Sequence, residues 1–313
     1  MVSLVQSPGA VVMIRPDRFT SNPETAEDNG YQVRLPECAN DLARTARDEV
    51  DAAAERLRAA GVRVHLFEDD GGRNTPDSVF PNNWFSTHPG GHVAVFPMHS
   101  PSRRRERRWD VIELLKSQYR VQDVIDYSGL EPDALFLEGT GAMVLDHLER
   151  VAYVARSNRA HPVALERFCT HFNYEPMVFD TAAPSGQPVY HTNVLMCIAT
   201  EFALAGFGLM TDDKRAHEVR ARLQATGRTV MDLSAEQVAD FAGNALELST
   251  PNGRVLALST RAERALTAQQ KKEIERSARL LPLSVPTIEL AGGSVRCMLA
   301  GIHLSPRQGS GMG

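Results

Sequence analysis

The 313-residue sequence lacks the signals of several large classes of protein. No apolar run reaches the roughly 18–20 residues that a membrane-spanning helix needs. Neither G-x-G-x-x-G nor G-x-x-x-x-G-K-[ST] occurs, so nothing indicates a dinucleotide or nucleoside triphosphate ligand. The first ten residues have neither the basic start nor the long apolar core of a secretory signal. These absences argue against membrane, nucleotide-dependent and secreted proteins.

Cysteine is also scarce, and its four positions are far apart: Cys38, Cys169, Cys197 and Cys297. The absence of a C-x-x-C pair argues against a zinc ribbon. Separated free thiols are typical of a reducing compartment. We therefore expect a cytoplasmic protein without a structural metal.

The charge balance narrows the range of partners. A net charge of −5, with 42% hydrophobic and 23% charged residues, is typical of a soluble globular protein and argues against general nucleic-acid binding. The one basic cluster, Arg103–Arg108, precedes a helical stretch from Trp109 to Leu115, and its simplest interpretation is a solvated helix face. We expect a small-molecule partner, with neither nucleic acid nor membrane; homo-oligomerisation stays open.

Short runs of strand-forming residues recur along the chain, with helical stretches between them. The predicted strands include Val11–Ile14, Val62–Phe67, His92–Phe96, Ala134–Leu137, Val151–Ala155, Val194–Ile198, Thr229–Leu233 and Val295–Ile302. Two or three strands and then a helix repeat about every 60 residues, which is neither a β-α-β alternation nor separate all-α and all-β blocks. No linker rich in Pro, Gly and Ser divides the chain. We predict one α/β domain over residues 1–313, built from degenerate repeats, with Ser305–Gly313 as a loose tail.

Several element boundaries have local signals. The alanine-rich stretch Asp41–Ala60 predicts a helix that ends at Gly61. Ser234–Gln237 and Thr267–Gln270 have the pattern of capping boxes that begin helices. The turn Pro251-Asn252-Gly253 between two apolar runs predicts a hairpin.

Cys297 follows Gly292-Gly293 on the last predicted strand, and by itself it is most simply a buried core thiol. Glycines also permit close approach of a backbone, so a small substrate could reach this sulfur. A cysteine nucleophile needs a stabilised thiolate, a group that handles protons and a group that orients it. His191, before the apolar run Val194–Ile198, is the candidate for proton handling; the alternative is a histidine that caps a turn.

Two further segments carry unusual polar residues. Glu138 ends the predicted strand Ala134–Leu137 and precedes alternating glycines. Burying it unpaired would cost several kcal/mol, so we expect a cationic or hydrogen-bonding partner; the alternative is a carboxylate that only fixes the glycine turn. Asn82 and Asn83, between a proline and aromatics, suit a loop that offers amide groups to a neutral polar ligand, or simply a turn.

Together and in this order, these segments resemble the guanidine-modifying, or pentein, superfamily, which includes dimethylarginine dimethylaminohydrolases, arginine deiminases, succinylarginine dihydrolases and amidinotransferases. The matching segments are Pro76–Asn83, Pro101–Arg104, Leu137–Gly139, Ser157–Arg159, His191-x-Asn193 and Gly292–Cys297. The resemblance runs from about Val11 to Pro306, and the nearest branch is the bacterial citrulline-utilisation hydrolases, or citrulline ureidases.

This resemblance implies a five-bladed α/β propeller with pseudo-fivefold symmetry and an active site on its axis. It implies Cys297 as the nucleophile, His191 as the general acid/base and Glu138 as the carboxylate that orients the histidine or the substrate nitrogens. For the substrate's α-carboxylate it implies Arg159, helped by Arg104 or its neighbour Arg103. Asp77 matches an aspartate that could hold the α-amino group. No metal or organic cofactor is implied.

The chain departs from arginine-directed members of the superfamily at three positions. Those members clamp the cationic guanidinium with carboxylates, where this chain has Asn82, Asn83 and Asn193. Charged hydrogen bonds are roughly twice as strong as neutral ones, and removing one partner of a buried charge pair costs about 3–5 kcal/mol. Amides instead match a neutral ureido group, which both donates and accepts. The sequence therefore favours hydrolysis of citrulline, or a close analogue, to ornithine, CO₂ and ammonia.

Other functions stay open. A guanidino substrate would make the protein an arginine deiminase or dihydrolase, a dimethylargininase or an amidinotransferase. A catalytically silent amino-acid-binding protein is a more distant alternative. A papain-like protease fits less well, because the local signature around its cysteine is absent. The polar segment Asn22–Asn29 is the predicted lid.

Overall fold

The structure is a computed structural model that describes residues 4–33 and 40–307. Cys38 and the last six residues of the predicted tail lie outside the described residues. The strands are β1 (Ala10–Arg15), β2 (Arg63–Glu68), β3 (Phe85–His88), β4 (His92–Val95), β5 (Asp123–Asp126), β6 (Val144–Asp146), β7 (Val151–Ala155), β8 (Glu175–Phe179), β9 (Met196–Ile198), β10 (Phe202–Ala205), β11 (Thr229–Asp232), β12 (Leu246–Thr250), β13 (Gly253–Ser259), β14 (Ala278–Leu283) and β15 (Ala300–Gly301). The α-helices are α1 (Asn40–Ala59), α2 (Pro101–Arg104), α3 (Trp109–Gln118), α4 (Gly139–Ala142), α5 (Pro162–Phe172), α6 (Thr192–Leu195), α7 (Asp213–Gln224), α8 (Ala235–Ala239), α9 (Thr260–Ala265), α10 (Ala268–Ile274), α11 (Pro286–Glu289) and α12 (Val295–Met298). Short helical turns lie at Pro81–Asn83, Ser128–Asp133 and Phe207–Leu209.

The strands in the described ranges form five three-stranded sheets with one common plan. In each sheet the central strand pairs antiparallel with one neighbour and parallel with the other. A helical connection precedes each parallel strand, because parallel neighbours need a crossover. The sheets are β15-β1-β2, β3-β4-β5, β6-β7-β8, β9-β10-β11 and β12-β13-β14.

One sheet joins the two ends of the described chain. Strand β15 pairs antiparallel with β1, with Val11 opposite Gly301 and Val12 opposite Ala300. The first repeat is therefore completed by the last strand. Five such modules fit the five-module α/β architecture that the resemblance implies.

Helix α1 shows how a module is held together. Val50, Ala53 and Leu57 are buried at the helical spacing and pack into a core cluster with Val255 and Leu281 of β13 and β14. A fully buried Val or Leu side chain contributes about 1.5–3 kcal/mol. This amphipathic face explains why the alanine-rich stretch is a helix, within one residue of the predicted bounds at each end.

Other local predictions are also confirmed. Both capping boxes are formed, with reciprocal bonds between Ser234 and Gln237 and between Thr267 and Gln270. The hairpin of β12 and β13 turns where Pro251-Asn252-Gly253 predicted it. These signals depend on neighbours in the sequence, which is why the sequence suffices to predict them.

Three predicted strands are wrong in part or in full. Ala134–Leu137 is not a strand, and only Leu137 makes an isolated bridge. Val194 and Leu195 belong to α6, and Val295–Met298 is helix α12. A short apolar run predicts that a segment is buried, but its periodicity cannot distinguish a buried strand from a buried helical turn.

Candidate active site

The segments that precede the first strands of the modules converge at the centre of the molecule. They are the turn Pro81–Asn83 before β3, α4 before β6, α6 before β9, the residues before β12, and α12 before β15. Gly141 of α4 shows how closely they approach, because a Cβ there would lie 2.1 Å from the side-chain amide of Asn83 and 2.8 Å from Nδ1 of His191. Only glycine fits at this position.

Cys297 lies in α12 and is 2% exposed. Its Sγ accepts hydrogen bonds from Nδ2 of Asn193 and Nδ2 of Asn244, both at 3.3 Å. Asn244 also donates to the backbone oxygen of Asn193 at 2.9 Å, which links the two amides. Two N–H donors directed at one sulfur stabilise negative charge on it, as a nucleophilic thiolate requires.

His191 lies at the start of α6, where Nε2 is 2.8 Å from Oε2 of Glu138. The same carboxylate accepts the backbone N–H of His99 at 3.0 Å and lies 3.1 Å from Nη1 of Arg159. Burial by itself would raise the pKa of Glu138, but Arg159, the His191 hydrogen bond and Arg103 hold that pKa well below its usual range. Glu138 is therefore an anion with the partners that its burial requires.

The carboxylate determines the tautomer of His191. An ionised carboxylate only accepts, so Nε2 of His191 carries the proton and donates it to Glu138. Burial lowers the pKa of His191 to about 4, against the opposing effect of Glu138. His191 is therefore neutral at pH 7, and its Nδ1 accepts no hydrogen bond from any described residue. This nitrogen can take a proton.

Arg159 is 1% exposed and lies between two carboxylates. One is Glu138, and the other is Asp28, whose Oδ2 accepts from Nε of Arg159 at 2.9 Å. The guanidinium also lies over the ring of Tyr190, 5.3 Å from its centroid. Asp28 belongs to the predicted lid segment, so the segment contacts the residue that the resemblance assigns to the substrate's carboxylate.

Of the two adjacent arginines considered for substrate binding, Arg103 lines the cavity and Arg104 does not. Arg103 is buried and makes two 3.0 Å contacts with Glu106. With the Asn83 amide oxygen turned toward it, Arg103 also donates to Asn83 at 2.8 and 3.0 Å. Arg104 donates instead to the backbone oxygens of Met98 and His99. The structure therefore places Arg103, and not Arg104, at the cavity wall, because adjacent helical residues point in different directions.

Asp77 is buried at the cavity wall. Its Oδ2 accepts from Nδ2 of Asn22 at 2.8 Å, and its Oδ1 has no hydrogen-bond partner among the described residues. Burial raises the pKa of Asp77, and the nearby Arg103 opposes this shift. An unpaired buried carboxylate oxygen suits an ammonium group.

The cavity beside Cys297 has a volume of only about 10 Å³, which is room for about one water molecule. Thr25 and Asn29 of the lid segment help to line it. Asn29 lies against Gly292, where a Cβ would come within 2.5 Å of the Asn29 amide, and the backbone there has φ +82°. Gly292 thus allows the segment that contains Asn29 to lie close to the cavity. An amino acid cannot enter unless this segment moves.

The remaining predicted site residues take different places. Asn83 lines the cavity, whereas Asn82 is fully buried outside the cavity wall, where its backbone oxygen accepts the Thr140 hydroxyl. Asn193 touches the sulfur. The residues that sequence reasoning missed are Asn244 and Asp28. A signal for Asn244 exists, since Gly243-Asn244 precedes the first strand of its module as other glycine-flanked site residues do.

Two searches of the described residues gave negative results. No group of three or more His, Cys, Asp or Glu side chains is placed to hold a metal ion. Within the same ranges, every helix is too short or too polar to cross a membrane.

Comparison with solved structures shows the fold. The N-terminal domain of ArgZ, an arginine dihydrolase from the ornithine-ammonia cycle in cyanobacteria, matches at a TM-score of 0.72 and 15% identity, over 95% of this chain and 98% of that domain. Unliganded AgrE matches at 0.74 and 16% identity, over 96% of this chain but only 40% of AgrE. DDAH from Pseudomonas aeruginosa, complexed with citrulline, matches at 0.64 and 14% identity, over 95% of this chain and all of that one.

Comparison of the sequence shows the family. A search of curated proteins returns no match. The model of the family described as "N,N dimethylarginine dimethylhydrolase, eukaryotic" matches residues 15–304, which is nearly the whole chain. The protein therefore belongs to the N,N-dimethylarginine dimethylhydrolase family and has the α/β fold of the pentein, or guanidine-modifying, superfamily.

Proposed function

We propose that the protein is a cysteine hydrolase that cleaves the ureido group of citrulline, or a close analogue, to give ornithine, CO₂ and ammonia. The observation that carries this proposal is the chemistry around the sulfur. The side chains that hydrogen-bond to Sγ of Cys297 are the amides of Asn193 and Asn244. A guanidinium beside the sulfur would need a carboxylate there, whereas amides suit a neutral ureido group.

The rest of the cavity suits an α-amino acid. Arg159 can bind the α-carboxylate in a bidentate ion pair once the carboxylate of Asp28 has moved away from its guanidinium. The unpaired Oδ1 of Asp77 can accept the α-ammonium. These two charges would hold the zwitterionic end of the substrate, while its neutral end lies at Cys297.

The chemistry begins with proton transfer from the Cys297 thiol to Nδ1 of His191. The sulfur then attacks the ureido carbon, and His191 returns the proton to the departing nitrogen. Glu138 stabilises the imidazolium that forms in between, because its carboxylate accepts the hydrogen bond from Nε2–H throughout. The enzyme is left with a carbamoyl-type thioester on Cys297.

One water molecule completes the reaction. His191 takes its proton while the oxygen attacks the thioester carbon, and the C–S bond breaks to regenerate the thiolate. The product released is carbamate, whose C–N bond then breaks to give CO₂ and ammonia. The atoms balance: citrulline and one water give ornithine, CO₂ and ammonia. These steps require no metal and no organic cofactor.

The second candidate is a hydrolase of a guanidino compound, such as arginine or a methylarginine. The family model that matches the chain supports it, as does the fold shared with an arginine dihydrolase. The same Cys297, His191 and Glu138 would act, with the substrate cation facing Asp77. An amidinotransferase would differ only in that an amine replaces water as the acceptor.

A substrate panel separates these functions. Purified protein is incubated with citrulline, arginine, methylarginines, agmatine and carbamoyl-putrescine, with and without an added amine, and products are identified by mass spectrometry. We expect citrulline, and no other compound of the panel, to yield ornithine. Turnover of arginine without turnover of citrulline would overturn the proposal, and a new acceptor-dependent guanidino compound would indicate a transferase. No turnover of any compound by folded protein would favour a binding function.

A further inference from the structure

A second cavity lies at the centre of the molecule, on the other side of α12 from the substrate cavity. Its walls come from the first strand of every module: β3, β6, β9, β12 and β15. Its volume is about 40 Å³, enough for a few water molecules or one small ion. Arg296 lines this cavity, and its neighbour Cys297 lines the other.

Arg296 is half-buried, and its guanidinium makes few contacts with the described residues. Nη1 donates to the backbone oxygen of Leu299 at 2.8 Å, and no described residue accepts from the other N–H groups. No carboxylate in the described chain forms an ion pair with it or raises its pKa. Burial lowers the pKa of Arg296, which shows a charge that its surroundings compensate poorly.

The fully buried arginines of the described chain, by contrast, have carboxylate partners. Arg228 lies within 2.5 and 3.1 Å of the two oxygens of Asp146. Burial also opposes the charges of Arg103 and Arg159, but their neighbouring carboxylates raise the pKa of each above its ordinary value. Arg296 therefore lacks the carboxylate partner that Arg103, Arg159 and Arg228 each have. A guanidinium cannot lose its proton to escape this cost.

The walls of the cavity suit an anion. No carboxylate is among its lining residues in the described part of the chain. The rings of His147 and His303 stack 3.8 Å apart at its edge, and Nδ1 of His303 is buried without a partner. Gln6 is held in place by its bonds to the backbone oxygens of Leu145 and Ile198. The cavity thus has one cation with N–H groups that no described residue accepts from, and no carboxylate in its described lining.

We propose that this central cavity is a binding site for a small inorganic anion of about the size of chloride, held by the guanidinium of Arg296. The site is separate from the substrate's carboxylate site at Arg159, which lies on the other cavity. It does not depend on the proposed function. The small volume excludes phosphorylated metabolites and amino acids.

Bromide tests the site directly. Crystals of the wild-type protein are soaked in sodium bromide, and the anomalous signal of bromine is mapped. We expect a peak in the central cavity within hydrogen-bonding distance of Arg296. An empty or water-filled cavity at high bromide concentration would overturn the proposal.

A thermal measurement tests it in solution. The unfolding midpoint is measured in sodium chloride and in sodium gluconate at equal ionic strength, since gluconate is too large for the cavity. A ligand that binds only the folded state raises the midpoint progressively as its concentration exceeds the Kd. We expect a chloride-dependent rise in the wild type and none in Arg296→Met. Arg264→Met is the control and should keep the rise, because Arg264 is exposed and the substitution changes the charge by the same amount.

Arg296→Gln, which keeps donors but loses the charge, replaces Arg296→Met if that variant does not fold. A rise that persists without Arg296 would overturn the proposal.

Discussion

The carboxylate of Asp28 lies against the guanidinium of Arg159, with Oδ2 2.9 Å from Nε. Asp28 comes from a segment that helps to roof the cavity, and Arg159 from its wall. A substrate carboxylate that needs Arg159 must first displace Asp28. Substrate binding at this site would therefore be an exchange of one carboxylate for another, coupled to movement of the roof.

Removing the charge of Asp28 tests this exchange. In Asp28→Asn the competitor for Arg159 is weaker, so we expect KM for the substrate to fall about tenfold, which corresponds to ~1.4 kcal/mol. Glu27→Gln is the matched control, because Glu27 is exposed in the same segment and should leave KM unchanged. A rise in KM for Asp28→Asn would mean that Asp28 contacts the substrate instead. Steady-state kinetics on the best substrate of the panel provide the measurement.

Replacing the nucleophile should separate activity from folding. We expect Cys297→Ser to lower kcat at least about a thousandfold, because a serine hydroxyl is a far weaker nucleophile at neutral pH. Cys169→Ser is the control, since Cys169 lies in another core cluster and burial raises the pKa of its thiol to about 12. Circular dichroism should show both variants folded. Retained turnover in Cys297→Ser would remove Cys297 from the mechanism.

Asn244 should matter for the reactivity of the sulfur. Asn244→Ala removes a donor at 3.3 Å from Sγ, and a hydrogen bond to a charged group is worth about 1.5–3 kcal/mol. We therefore expect Cys297 to alkylate roughly ten- to a hundredfold more slowly with iodoacetamide. Pre-bound substrate should protect the wild-type thiol, which identifies Cys297 as the labelled residue. An unchanged alkylation rate would show that Asn244 only supports Asn193.

A carboxylate at position 193 should change the substrate preference. Asn193→Asp places a negative charge beside Sγ, where Asn193 now lies 3.3 Å away. A guanidinium gains an ionic partner there and a ureido group does not. We expect the ratio of kcat/KM for citrulline to that for arginine to fall at least about tenfold. An unchanged ratio would show that position 193 does not face the reacting group.

Acid should weaken the fold through buried histidines. Burial lowers the pKa of His191 to about 4 and of His303 to about 3, and it holds the pKa of His88 and His147 well below their usual range. The unfolded chain, with histidine pKa values near 6.5, binds these protons first, so the folded state loses stability as the pH falls below about 6.5. We expect the free energy of unfolding in urea to be constant between pH 7 and 8 and to fall steadily from pH 6 to 4. A flat profile from pH 7 to 5 would contradict the buried, neutral state of these rings.

The ordered set of Cys297, His191 and Glu138, the repeats and the helix caps could all be predicted from the sequence. Caps and turns depend on residues a few positions apart, and the set was found by resemblance along the chain. The 2.8 Å contact of His191 with Glu138 joins two modules, and no local pattern specifies it.

Only the tertiary structure decided which neighbours share the site. It selected Arg103 over Arg104, brought Asn244 to the sulfur and placed Asp28 on Arg159. It also made Val295–Met298 a helix. The reason is physical. The five modules converge on one centre, and their packing determines which side chains face the cavity and how closely they approach one another. This packing depends on residues that are far apart in the chain.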